Sequence, residues 1–235
     1  MSKNTFNVNS IVIAGGKCGS STLCNTLNNN NINSLKIHSR GDYKKQFNYD
    51  GIFETIELSS KNKKLYLIDS YRTPIERKIS SFFENINKYV PNFRNKTIDE
   101  LINIFNQNFL RKIENYHFIN NIFNYYNIEP FNSFDFNKRY VIKEVDNKVF
   151  IKILFKDIKN WNKILSSIFN KNIIIHNNNI SNTKAYFNIY NEFKNKYIVP
   201  KEYLENELIN DKEFLIYNTI EEQEIYINEW LKKSC

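Results

Sequence analysis

Cysteine is scarce in these 235 residues: Cys18, Cys24 and Cys235 are all there is, the last at the final position. Three thiols do not build a disulfide framework, and no spacing of Cys, His and acidic residues matches a metal-ligand pattern, so no metal is expected. Long apolar runs are absent too. No stretch approaches the roughly 20 residues that span a bilayer. After a polar start, residues 11–14 supply only four apolar positions, too few for the core of a signal peptide. The expectation is a soluble protein of a reducing, cytoplasmic compartment with no membrane span. The chain also lacks any block of consecutive Lys or Arg. Its 33 basic and 25 acidic residues leave a formal net charge of +8, which favours a polyanionic partner: nucleic acid, a membrane surface, a phosphorylated cofactor or an acidic polymer. Because the basic residues are scattered, nucleic acid is not the expected partner. No internal repeat is present, and the Asn runs at 28–31 and 177–179 read as loops.

What the chain has in plenty is Asn, Ile, Lys, Tyr and Phe, the signature of an AT-rich coding bias. That bias weakens propensity arguments, since Asn falls inside elements where it is a poor choice. The length suits one domain, 1–235, with a substantial core. Residues 10–14 read as a buried strand, and 20 to about 29 as a helix with Leu23 and Leu27 inward. Residues 34–38 form a second short strand running into a polar loop through Gly41, with a helix expected from about 49 to 58. Residues 65–69 form a third strand, buried on both faces. The helix after it is the best specified: Thr73 at the cap, Pro74 at the first position, Glu76 completing a capping box, then Ile75, Ile79, Phe82, Phe83 and Ile86 as one apolar stripe. Arg77 and Ser80 fall outside that stripe. Residues 97 to about 126 read as mostly helical. Strands at 139–145 and 148–156 are joined at Asp146-Asn147, a hairpin-type turn. A helix at 157–169, a fifth strand at 172–176 and helices at 184–197, 202–209 and 220–231 complete the chain. The pattern predicts an α/β, three-layer, P-loop-like fold, with a central, mainly parallel sheet flanked by helices. In such sheets ligands lie beyond the carboxyl ends of the strands.

Three chemistry-bearing segments collect at those ends. The first is Gly15-Gly16-Lys17-Cys18-Gly19-Ser20-Ser21-Thr22, between strand and helix. Glycines there admit close backbone approach, helix N–H groups point outward, and Lys17 adds positive charge, all suited to a phosphate-like anion. It is not a Walker A loop, whose lysine follows the last glycine; here Lys17 precedes Gly19. The second is His38, after the second strand. The third is Tyr71-Arg72-Thr73-Pro74-Ile75-Glu76-Arg77-Lys78-Ile79-Ser80, after the third. Arg72 at a helix mouth can grip a phosphate in a fork, and Ser80 can donate a hydroxyl two turns on.

Lys-x-Gly-Ser-Ser-Thr resembles the 5′-phosphosulfate loop of sulfotransferases. Arg72, Pro74 and Ser80 resemble the 3′-phosphate motif of the carbohydrate sulfotransferases, with Thr73 where Asp is commoner. His38-Ser39, residues 80–85, the Asn/Ser/Lys run to Tyr190 and the region 217–230 look like the branch assigned to capsular polysaccharide synthesis. The resemblance implies sulfuryl transfer from 3′-phosphoadenosine 5′-phosphosulfate (PAPS) to a hydroxyl, with a carbohydrate acceptor. It implies that Lys17 stabilises charge on the leaving oxygen, that Gly19, Ser20, Ser21 and Thr22 hold the 5′-phosphosulfate, and that Arg72 and Ser80 hold the 3′-phosphate. Lys184, which opens a helix after an Asn-rich loop, falls where a further phosphate ligand is placed, though a lone lysine also reads as solvated. A base must deprotonate the acceptor. His38 is the candidate, with Glu54 and Glu57 as rivals; His176 ends a predicted strand, and His117 lies among aromatics in a predicted helix and reads as packing. Cys18 reads as a small filler or, beside Lys17 and a helix N-terminus, as a reactive thiol. Two other classes stay open: a P-loop kinase or NTPase, for which Asp69 at the end of the third strand is the available acid, and a degenerate sulfotransferase fold that only binds.

Overall fold

The computed structural model of the chain describes residues 7–48, 50–111, 118–176 and 185–232. In chain order they form β1 (Ser10–Val12), α1 (Ser20–Asn29), β2 (Ser34–Lys36), α2 (Arg40–Phe47), α3 (Ile52–Ser60), β3 (Leu65–Tyr71), α4 (Pro74–Glu84), α5 (Ile86–Tyr89) and α6 (Ile98–Phe105). Then follow α7 (Phe118–Tyr125), β4 (Tyr140–Val145), β5 (Lys148–Leu154), α8 (Trp161–Phe169), α9 (Phe187–Lys196), α10 (Lys201–Asn206), α11 (Lys212–Ile216) and α12 (Ile220–Lys232). The chain divides into two compact units, one of Met1–Arg72 with Asn115–Asn179, the other of Thr73–Glu114 with Ile180–Cys235.

The first unit is an α/β layer structure around one five-stranded sheet of order β2-β1-β3-β5-β4. The first four strands run parallel, and β4 turns back antiparallel along β5. Parallel central strands must be buried on both sides, and β3 and β5 are buried at nearly every position. Side-chain alternation sends Ile11, Leu67 and Phe150 to one face, packed with Tyr43 of α2, Ile56 of α3 and Ile122 of α7. Val12, Ile68 and Ile151 face the other way, toward Leu23 and Leu27 of α1 and Trp161 of α8. The β4–β5 hairpin turns at Asp146-Asn147, with Asp146 at φ 51°.

One polar pair interrupts the first of these faces. Asp69 and Lys152 stand opposite each other in the β3–β5 register, and their side chains meet at 2.6 Å with 6 % and 3 % exposure. The other oxygen of Asp69 accepts the N–H of Ser70 at 2.8 Å.

The second unit is helical and held by aromatic rings. Phe82 and Phe83 of α4, Phe105 of α6, and Phe193 and Tyr197 at α9 are all fully buried in one cluster with Trp230 of α12. Their rings meet mostly edge to face, the geometry favoured by the ring quadrupole.

Three sequence expectations fail locally. Residues 172–176 join no strand, because the Asn30 side chain takes both the N–H and the C=O of Ile174. The stretch from Arg40 through Gly41 is helical, its start capped where Asp42 N–H bonds the Ser39 hydroxyl at 3.0 Å. Thr73 sits at the N-cap of α4 without a side-chain cap bond, and the carboxylate of Glu76 accepts the Tyr226 hydroxyl instead. A reciprocal capping box does form elsewhere, between Thr97 and Glu100 at α6. Among the described residues, no helix is long and apolar enough to cross a membrane, and no group of three or more His, Cys, Asp or Glu is placed to hold a metal ion.

Candidate functional site

Three of the five glycines fall within residues 15–19, the connection from β1 to α1. The Ile13 N–H still bonds Ile68 O at 2.8 Å, tying the loop's entry to β3. Lys17 and Gly19 then adopt left-handed φ values of 68° and 82°. A lysine there is held against its backbone preference; a glycine is at ease. Gly19 is fixed by sterics as well, because a Cβ would lie 2.6 Å from Trp161 Cη2 and about 3 Å from the Phe155 ring. Trp161 cannot yield cheaply: it is fully buried, and its indole N–H bonds Leu154 O at 2.9 Å. A Cβ on Gly16 would meet nothing within 4 Å, so the loop is open on that side. Gly19→Ala is therefore expected to cost about 1–3 kcal/mol from backbone strain and overpacking, read as a lowered calorimetric midpoint; an unchanged midpoint would show that the rings relax freely.

The helix that follows is left ready for an anion. Gly19 is its N-cap and offers no side chain, no acidic residue stands in the first turn, and the first return bond is Leu23 N–H to Gly19 O at 3.0 Å. The N–H groups of Ser20, Ser21 and Thr22 thus have no partner within the helix, at its positive end. Lys36 of β2 adds a cation, its ammonium donating to the Ser21 hydroxyl at 3.1 Å. One turn on, burial pushes the Cys24 thiol up from its ordinary range, and nearby Lys36 only partly offsets this. Cys24 is therefore a neutral packing group. Cys18 is buried, its thiol 3.7 Å from Gly16 O.

Two residues brace the loop from neighbouring strands. Arg72, immediately after β3, donates from Nη1 to Lys17 O at 2.9 Å and lays its guanidinium over the Phe155 ring, 4.6 Å from the centroid. His38, just past β2, has Nδ1 2.8 Å from Ala14 O. A carbonyl can only accept, so Nδ1 carries the hydrogen and the neutral ring keeps its lone pair on Nε2. The backbone N–H of His38 bonds the Asp42 carboxylate at 3.0 Å, fixing the residue at the mouth of α2.

Lys17, Gly19, Ser20, Ser21, Thr22, His38 and Arg72 are thus gathered around one connection. Two other candidates, Glu57 and His176, are not. Glu57 is exposed and lies 3.3 Å from Lys148, which is in register with Leu65 at the start of β3, the sheet edge opposite the loop. Glu54 is exposed in the first turn of α3. His176 donates its backbone N–H to the Thr26 hydroxyl, beside the latter half of α1. Ser80 is half-buried on α4, in the second unit. Lys184 and His117 lie outside the described residues. Lys36 and Phe155 went unmarked in the sequence. The alternation of Leu35, Lys36 and Ile37 was the one signal for Lys36, since it turns the lysine away from the face its neighbours bury.

Chemically, the arrangement offers N–H donors at the start of α1 and cations from Lys17, Lys36 and Arg72 to an anion, with the His38 ring held beside the loop. Asp69, the acid available for a magnesium site, is buried against Lys152. No protein-family model matches the chain, nor does any curated protein or solved structure.

Proposed function

We propose that the chain is a sulfotransferase that moves a sulfuryl group from PAPS to a hydroxyl acceptor, a carbohydrate. The observation that carries this reading is the meeting of two anion-reading segments in one place: the left-handed Lys17–Gly19 turn opening α1, and Arg72 bonded to that turn from the end of β3. The residues suit the donor's 5′ end. The loop is open beside Gly16, and the N–H groups of Gly19, Ser20, Ser21 and Thr22, with the three hydroxyls, hold the phosphosulfate. When bound, the donor supplies an activated sulfuryl group on a phosphate leaving group. Lys17 stabilises the negative charge that builds on the departing oxygen. His38, through Nε2, accepts the proton of the attacking hydroxyl. Arg72 offers its remaining donors to the 3′-phosphate. Ser80 and Lys184 are further nucleotide donors by the same resemblance. The sheathed carboxylate of Asp69 is what disfavours a kinase or NTPase reading.

The test is thermal stability with 3′,5′-adenosine bisphosphate (PAP) against Mg-ATP. At about 100 times its dissociation constant, PAP is expected to add roughly 2.7 kcal/mol, a plain upward shift in Tm. Stabilisation by Mg-ATP with none by PAP would sink the sulfotransferase reading. A PAP shift with no transfer to any hydroxyl acceptor would leave a binding protein.

A further inference from the structure

We infer that Arg72 and Phe155 are positioning residues that hold the Lys17–Gly19 turn in its anion-ready shape before any ligand arrives. Lys17 is a non-glycine residue at φ 68°, and such a conformation persists only where its surroundings enforce it. The enforcing contacts are on both sides of the turn. Arg72 Nη1 fixes the carbonyl of Lys17 itself at 2.9 Å. The Phe155 ring lies against Gly19, at the distance where an added Cβ would collide, and carries the Arg72 guanidinium on its face at 4.6 Å. Phe155 is in turn set edge-on to buried Trp161, 6.2 Å between centroids. Arg72, Lys17, Gly19 and Phe155 thus form a closed ring of contacts, with the two left-handed residues between an arginine clamp and an aromatic plate.

Arg72 therefore has a task besides gripping a phosphate. One of its five N–H donors is committed to the loop, and the others stay available to a ligand. An anion held by Arg72 is mechanically linked to the residue that carries the Lys17 ammonium. A ligand with a 5′-phosphate and no 3′-phosphate must then still depend on Arg72, because the cradle it enters is shaped by that residue. This last step rests on reading the loop as a phosphate cradle; the clamp itself does not.

Hydrogen exchange and calorimetric binding test the two parts separately, in wild type, Arg72→Lys and Phe155→Leu. Lysine keeps the charge but has neither the fork nor the plane to bond Lys17 O and stack on Phe155 together. Amides of residues 15–20 are expected to exchange about tenfold faster or more in both variants, with β3 and β5 amides unchanged. Adenosine 5′-monophosphate should bind about fivefold more weakly or worse in both, although it has no 3′-phosphate. Unchanged loop exchange in both variants overturns the inference. So does weaker PAP binding in Arg72→Lys with adenosine monophosphate unaffected, which would make Arg72 a 3′-phosphate ligand alone and leave the proposed function standing. If neither nucleotide binds wild type, the proposed function fails, and the exchange result decides the clamp by itself. Should Phe155→Leu lose its core protection, Arg72→Lys decides.

Discussion

Asp69→Ala is expected to destabilise the sheet-bearing unit by about 3–5 kcal/mol, the usual result of removing one partner of a buried ion pair. Lys152 is 3 % exposed, and its ammonium lies 2.6 Å from the Asp69 carboxylate. The loss should appear in urea unfolding as a lowered midpoint with the slope preserved. The double variant Asp69→Val with Lys152→Met removes both charges and roughly keeps the volume. It is expected to recover most of the loss or exceed the parent, since apolar replacements of buried pairs are often neutral or better. A single-variant loss below about 1 kcal/mol, the range of surface pairs, would show that water reaches the site.

The second large effect concerns rate. On the proposed function, Lys17→Gly is expected to lower sulfuryl transfer about 100- to 1000-fold, the scale for removing one preorganised donor to developing charge. Glycine is the informative replacement because Lys17 sits at φ 68°, where glycine carries no steric penalty. Folding stability should hold or rise while chemistry is lost, so a rate defect cannot be blamed on misfolding. kcat and kcat/KM should fall together, as for an interaction made in the transition state. His38→Gln, measured alongside, should keep the thermal shift with PAP and lose transfer. A Lys17 effect of less than about tenfold would move the lysine away from the leaving oxygen.

Where local chemistry decides, the sequence was readable. Gly19 before Ser20, Pro74 after Thr73, and Asp146-Asn147 between two apolar runs mark a helix start, a second helix start and a hairpin, and each element begins or turns there. Lys17, His38 and Arg72 could be singled out because each closely follows a β-strand, and parallel strands deliver their ends to one edge. What escaped depends on distant partners or mixed signals. Residues 172–176, Asn-Ile-Ile-Ile-His, look like a strand, but their backbone bonds are claimed by Asn30, 144 positions away from Ile174. The Thr73–Glu76 pattern matches a capping box, yet Glu76 is taken by Tyr226, 150 positions on. Helix α2 carried a cap signal in Ser39-x-x-Asp42, outweighed by Gly41 and by a polar run whose one fully buried side chain is Tyr43. Phe155 read as the tail of a strand; only the fold turns it toward Gly19 and Arg72.

The two compact units are interleaved along the chain: each begins, gives way to the other, and resumes. No single cut can release either one free of part of the other. The order of synthesis is constrained as well. β3 leaves the ribosome long before β5, its partner 83 positions on, so Asp69 waits as a solvated carboxylate until Lys152 arrives. The helical unit waits longer still, because Trp230, which joins its aromatic cluster, comes well after Lys152 in the chain. Pairings over such sequence separations are slow to form. The half-built sheet and the half-built aromatic cluster both expose apolar surface in the interval, the condition under which partly made chains associate wrongly.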